Sequence, residues 1–232
     1  MHIPNGFLDP KTSAGLLGAA VLVMGFCVAK VREAVTALQP AAALAAAGNG
    51  AKNVIGGVRR VLTGDGERTI YQMGMVAALV FAGQMFNFPV SGGTSGHLIG
   101  GIFASVILGP FAGAIVIAVV LAVQMLFFAD GGLLAIGANI INMSLFGAIV
   151  AYYIYYYLKK IAPEWLAILA SAWLAVVLAS FACALELGIS GTIPFAIVIP
   201  AMVKVHMVIG LAEALISFAL INLFRQLVRG EG

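Results

Sequence analysis

Histidine is scarce in this chain: 3 among 232 residues, at positions 2, 97 and 206. His2 has a special setting if Met1 is the retained end of the mature chain. The α-amine nitrogen, the backbone amide nitrogen of His2 and its imidazole Nδ1 can bind one metal ion. They close a five-membered and a six-membered chelate ring. A deprotonated amide is a strong in-plane donor, and planar nitrogen sites favour Ni(II) or Cu(II). Three donors leave a fourth position open, and His97 is the candidate for it. It follows the run Ser91-Gly-Gly-Thr-Ser-Gly96, where glycine lets backbone approach a ligand closely, and it is expected at the start of a helix. Such a site needs neutral imidazoles and loss of the amide proton, so it weakens at low pH. Taken alone, His2 is only a second residue and His97 only a hydrogen-bonding group at a helix start. Their placement on one face carries the reading.

Other polar side chains lie within apolar sequence. Gln84 and Asn87 fall at i, i+3, as do Asn139 and Asn142, while His206 and Glu213 fall at i, i+7. Polar groups inside a membrane need partners. They serve either as an outer ring that orients metal ligands or as hydrogen bonds that fix helix packing. Asn87, Ser95, Asn139, Asn142 and His206 are candidates for the outer ring. For His206 and Glu213 the packing role is preferred, and for Asn87 the orienting role. Asp130 is expected to cap a turn, and Glu186 to sit at an outer helix end near water. Cys27 and Cys183 lie in long apolar runs and read as small buried hydrophobes.

The elements that must position these groups are membrane helices. The chain is 62% hydrophobic and only 9% charged, against about 45–50% apolar and about 25% charged for a soluble domain. That excludes a water-soluble globule. Met1-His-Ile-Pro-Asn-Gly lacks the basic start of a signal peptide. Apolar runs fall at about 13–31, 69–88, 96–108, 111–128, 133–158, 164–187 and 201–224. Breaks occur at Gly109-Pro110, Asp130-Gly-Gly132, Lys159-Lys160, Pro163 and the Gly/Pro-punctuated segment 188–200. The expectation is an all-α membrane protein of about seven transmembrane helices. Residues 1–232 form a single polytopic domain with a cytoplasmic loop at 32–68. No repeat of fixed period and no second domain is seen, and the few basic residues imply no nucleic-acid partner.

Lys and Arg in loops mark the cytoplasmic side. With the N-terminus outside, Lys30, Arg32, Lys52, Arg59, Arg60, Arg68, Lys159, Lys160, Arg225 and Arg229 fall inside. Of the 12 Lys and Arg, only Lys11 and Lys204 then remain outside. This orientation puts Met1, His2, the loop at 89–96, the turn at 130–132 and the segment 188–200 on one extracytoplasmic face. Small residues recur four apart at Ala14/Gly18, Gly15/Ala19, Gly25/Ala29, Gly96/Gly100 and Ser105/Gly109, a spacing that lets helices pack closely.

Six blocks carry a resemblance. They are Met1-His-Ile-Pro-Asn-Gly-Phe-Leu8, Gln84-Met-Phe-Asn-Phe-Pro-Val90, Gly92-Gly-Thr-Ser-Gly-His-Leu-Ile-Gly-Gly101, Gln124-Met-Leu-Phe-Phe-Ala-Asp-Gly-Gly132, Gly137-Ala-Asn-Ile-Ile-Asn-Met143 and Val205-His-Met-Val-Ile-Gly-Leu-Ala-Glu-Ala214. In this order the chain resembles the CbiM/NikM family, the nickel- and cobalt-binding S components of energy-coupling-factor (ECF) transporters. The resemblance runs from residue 1 to about 220. It implies a helical S-component bundle with an added N-terminal helix, and a transported Ni(II) or Co(II) ion held by Met1, His2 and His97. It implies as partners a membrane coupling (T) subunit, a pair of ATPase subunits and a small accessory membrane protein, in the plasma membrane of a prokaryote. Asn5 stands where an acid is expected, and the 32–68 loop is longer than is usual for the family.

No Gly-x-x-x-x-Gly-Lys-Ser/Thr phosphate loop occurs in the 232 residues, so the chain reads as a non-catalytic subunit. Two other readings stay open. A stand-alone secondary transporter or channel for metal ions needs no ATPase. A rhomboid-like intramembrane serine protease would use Ser95 as nucleophile and His206 as base, on the strength of the short Gly93-Thr-Ser-Gly96 match. The charge distribution makes a direct prediction. Cysteine introduced at Asp9 should react with an impermeant thiol reagent on intact cells, and cysteine at Thr63 should not. The reverse pattern would overturn the orientation.

Overall fold

Asp9 and Pro10 start the first helix. The Asp9 carboxylate accepts the backbone N–H groups of Lys11 and Thr12, and Pro10 occupies the first helical position, where its missing N–H costs nothing. The computed structural model describes residues 1–40, 58–91 and 95–230, with backbone only at 37–40, 58–61, 87–89 and 228–230. Its helices are α1 Pro10–Val35, α2 Gly64–Gln84, α3 Gly101–Leu108, α4 Pro110–Phe128, α5 Ile136–Leu158, α6 Glu164–Ile189 and α7 Phe195–Gly230. Seven helices therefore stand among the described residues. Five of them, α1, α4, α5, α6 and α7, are long and apolar enough to cross a membrane. The eight residues of α3 reach only about 12 Å, well short of a hydrocarbon core of about 30 Å.

Two small antiparallel hairpins join the helices. Strands β1 (Thr36–Pro40) and β2 (Val58–Leu62) pair with Thr36 opposite Leu62. Strands β3 (Asn87–Pro89) and β4 (Ser95–His97) pair with Asn87 opposite His97. The expected 32–68 loop is thus shorter at both ends. α1 continues through Val35, and Thr63 caps α2 by accepting from Gly66 N–H. Positions 41–57 of that loop lie outside the described residues.

Two boundaries differ from the sequence reading in ways that matter for the site. His97 lies in a strand, because Gly100 is left-handed (φ 72°) and helix α3 begins only at Gly101. Asn87 lies in β3 beyond the end of α2, so it shares no helix face with Gln84. At the other end, α7 starts at Phe195 and runs through Pro200. That proline sits near the helix start, and neighbouring helices make such interruptions tolerable in a membrane bundle. Within α5, residues Ile141–Val150 adopt a π-helix, for which a uniformly apolar run gives no warning.

The short helix α3 lies among α2, α4, α5, α6 and α7. Gly101, Ile102, Phe103, Ala104 and Ser105 are all buried. Its entry depends on close backbone approach: a Cβ at Gly101 would meet the carbonyl of Gly147 in α5. By contrast Gly15, Gly18 and Gly25 on α1 face open space, so those small residues do not pack within the chain. The expected outcome for Gly101→Ala is a loss of about 1–3 kcal/mol from overpacking, read as lower thermal stability in detergent. Gly18→Ala should leave stability close to the parent's. Equal stability for both would show that α3 and α5 are not in tight contact.

Candidate metal centre

Residues 1–9 precede α1 as a strap across one end of the bundle. Its first three residues are buried, and a buried non-helical segment must find partners for its backbone. The Asn139 carboxamide pairs with both sides of Ile3: Ile3 N–H donates to Oδ1 at 2.8 Å, and Nδ2 donates to Ile3 O at 3.3 Å. Gly132 N–H also donates to Ile3 O at 2.8 Å. Asn5 Oδ1 accepts from Leu134 N–H, a neutral acceptor where an acid was expected. Farther along, Thr192 donates to Phe7 O and Asp9 N–H donates to Ser190. The strap thereby ties to the turns at 130–134 and 190–192, which the charge analysis had put on the same face.

This strap brings Met1, His2 and His97 together, all buried. The Met1 amine donates to Ser95 O at 2.6 Å, with Ser95 Oγ at 3.4 Å. The His2 and His97 rings are stacked, with centroids 4.3 Å apart and planes 23° apart. His97 Nδ1 lies 2.8 Å from Leu98 O. A carbonyl only accepts, so the contact puts the proton on Nδ1 and the lone pair on Nε2. Nε2 is buried with no hydrogen-bond partner.

Burial decides the charge of these groups. It lowers the Met1 amine from 8.0 to about 5, against opposing pulls from Cys183 and Asp130. It lowers His2, with the Asp130 contact opposing, and holds His97 well below the ordinary imidazole range, helped by the nearby amine and His2. At neutral pH the site therefore presents uncharged nitrogens, the form in which amines and imidazoles bind metal. Among the described residues no three His, Cys, Asp or Glu side chains are grouped to hold a metal ion. A metal here would have to draw on the amine or on backbone nitrogen as well as on His2 and His97.

The structure also places residues that the sequence reading assigned elsewhere. Asp130 does more than shape a turn: its Oδ1 is 3.0 Å from His2 Nδ1. The chelate needs that same nitrogen, which here faces a carboxylate. Gln124 faces His2 from α4, and Cys183 faces the amine from α6. The block Gln124 to Gly132 held this signal, but nothing in its spacing tied it to residue 2. Glu186 is buried instead of near water, and it accepts from Asn142 Nδ2 at 2.7 Å, so that hydrogen bond ties Asn142 to α6. His206 on α7 donates from Nδ1 to Met202 O at 2.7 Å and faces the Ser95 backbone. It meets Ser95 at the main chain, with Nδ1 committed to its own helix, which is not the nucleophile–base contact of a serine protease. Asn87 is placed by its backbone pairing with His97, and its side chain is outside the described residues.

Known proteins resemble this chain over most of its length. The CbiM family, described as the cobalt uptake substrate-specific transmembrane region, matches residues 36–229. A fused nickel transport protein of Archaeoglobus fulgidus is 32% identical over 224 residues, covering 96% of this chain and 64% of that protein. The chain thus spans somewhat less than two thirds of that relative. A metal transport protein of Methanocaldococcus jannaschii is 32% identical over 239 residues, covering 100% of this chain and 94% of its own. A cobalt transport protein of Sorangium cellulosum is 34% identical over 155 residues, 62% of this chain and 68% of that one. Two crystal structures of transition metal transporters superpose with TM-scores of 0.79 at 28% identity. The first, a truncated form, covers 97% of this chain and 99% of its own; the second covers 98% and 93%. With the family match extending over most of its length, this chain belongs to the CbiM family of substrate-specific transmembrane regions.

Proposed function

We propose that this chain is the ion-binding membrane subunit of an ATP-driven ECF-type uptake transporter for Ni(II) or Co(II). The observation that carries the reading is the buried, uncharged Met1 amine beside the stacked rings of His2 and His97. The ion is substrate, held by the Met1 amine, the His2 amide nitrogen and Nδ1, and His97 Nε2. Binding through Nδ1 requires that nitrogen to leave its contact with Asp130, so the carboxylate and the ion compete for the same face of the His2 ring. Names among the relatives support the substrate class: nickel for the Archaeoglobus protein and cobalt for the Sorangium protein. Four nitrogens suit Ni(II), and Co(II) is also accommodated. The 232 residues hold no phosphate loop, so ATP hydrolysis belongs to partner ATPase subunits, coupled through a membrane T subunit and joined by a small accessory membrane protein. The Lys and Arg distribution supports an extracytoplasmic site, and the family resemblance supports a prokaryotic plasma membrane.

Because three of four donors come from residues 1 and 2, changes at the amine should be decisive. Calorimetric Ni(II) and Co(II) titrations of protein with native, acetylated and Gly-extended N-termini should show tight binding only for the native form. His2→Ala should lose binding, and His97→Ala should leave a weaker three-donor site. Equal affinity in all three N-terminal forms would reject the chelate.

The lowered amine pKa also fixes the proton count. A folded amine that titrates near 5 is proton-free at pH 7, whereas an amine at its ordinary 8.0 would be mostly protonated. Metal binding at pH 7 should then release about one proton per ion, from the His2 amide. Release rises toward two as pH falls through about 5. In the metal-free protein the unfolded amine binds the extra proton between pH 5 and 8, so stability rises with pH across that window and falls on acidification. Titrations in buffers of different ionisation enthalpy measure the proton count, and two protons released at pH 7 would contradict the neutral amine.

A further inference from the structure

The Glu213 carboxylate lies inside the bundle, on α7, and does not form an ion pair among the described residues. Its two oxygens accept from two successive backbone N–H groups: Ile99 at 2.9 Å and Gly100 at 2.7 Å. From α2, Gln84 Nε2 donates to Ile99 O at 2.7 Å. These contacts act on the backbone just after His97, at the junction of β4 and α3, and α3 has no side-chain cap of its own.

The geometry runs through one peptide plane. Ile99 N–H and Leu98 C=O belong to the same planar unit. Glu213 holds the N–H side of that unit, and His97 Nδ1–H donates to the C=O side. The orientation of the peptide therefore sets the rotation of the His97 ring and the direction of the Nε2 lone pair. The next peptide is also held at both ends, by Gln84 at Ile99 O and by Glu213 at Gly100 N–H. A hydrogen-bonded chain in a low-dielectric interior also polarises along its length, so the carboxylate strengthens Leu98 O as an acceptor and His97 as a donor to metal. Asn139 makes the matching arrangement on Ile3, one residue after His2.

We infer that Glu213, assisted by Gln84, is a positioning residue for His97, acting through the Leu98–Ile99 peptide to hold Nε2 toward the ion. The inference rests on His97 being a metal ligand, and a mutant cycle separates the two. Ni(II) and Co(II) affinities and ligand-field spectra would be measured for the parent, Glu213→Gln, Glu213→Asp and Gln84→Met, each with His97 intact and with His97→Ala. Thermal unfolding of every metal-free variant would be recorded alongside. Glu213→Gln turns one accepting oxygen into an N–H donor facing a backbone N–H. It should weaken binding about 10- to 100-fold, the usual effect of losing a group that orients a metal ligand, and should shift the absorption bands. Glu213→Asp, with both oxygens kept, should recover part of the loss. Gln84→Met removes only the bond to Ile99 O; it should give a smaller loss of the same kind and serves if Glu213→Gln does not fold. In the His97→Ala background none of the three should change affinity further. An equal loss in both backgrounds, or no loss with His97 present, would overturn the positioning role. A parent-like affinity for His97→Ala alone would instead reject His97 as a ligand.

Discussion

A membrane bundle leaves no free backbone where it is not helical, and this requirement shapes the end of the protein that holds the N-terminal strap. Residues 1–3 of the strap and His97 to Gly100, all but two of them buried, are non-helical main chain packed against helices. Water does not serve their N–H and C=O groups in the hydrocarbon region, so side chains must. Asn139 and Asn5 do this for the strap, and Glu213 and Gln84 do it for the loop after His97. Of these, the buried Asn139, Glu213 and Gln84 satisfy main chain within three residues of His2 or His97. In the positioning role inferred for Glu213, the packing and orienting roles that the sequence reading opposed coincide.

Burial has a second effect. The same dry setting that demands hydrogen bonds also removes charge from the amine and both imidazoles. A cluster of three protonated nitrogens would repel a divalent cation, whereas three neutral ones attract it as lone-pair donors. Asp130, partly exposed at the rim, places a carboxylate in direct contact with His2.

Much of this was legible in the residues. The helices followed from runs of apolar sequence and from Gly109-Pro110, which ends α3 and starts α4 where a helix must break. The grouping of Met1, His2 and His97 followed from scarcity of histidine and from loop charge. What stayed hidden was pairing across long sequence separations. Nothing local connects Asp130 to His2 or Glu213 to Ile99, since each contact exists only once the helices have packed. Short irregular structure was hidden too: β4 at His97 depends on the left-handed Gly100, and local apolarity reads the same in a strand and in a helix. The π-helix in α5 and the burial of Glu186 are likewise products of packing.

Helix α7 carries His206, which faces Ser95, and Glu213, two turns farther along. Its opposite face presents Val208, Leu211 and Leu215, each at least 60% exposed. One continuous rod therefore touches the start of the His97 strand at Ser95 and the backbone just beyond it at Ile99 and Gly100 on its inner side, and presents an apolar face outward. Thermodynamic reciprocity follows from that continuity. On the proposed function, a neighbour in the membrane whose attachment rotates or slides α7 would change the affinity for the ion by some factor, and the bound ion would change the neighbour's affinity by the same factor.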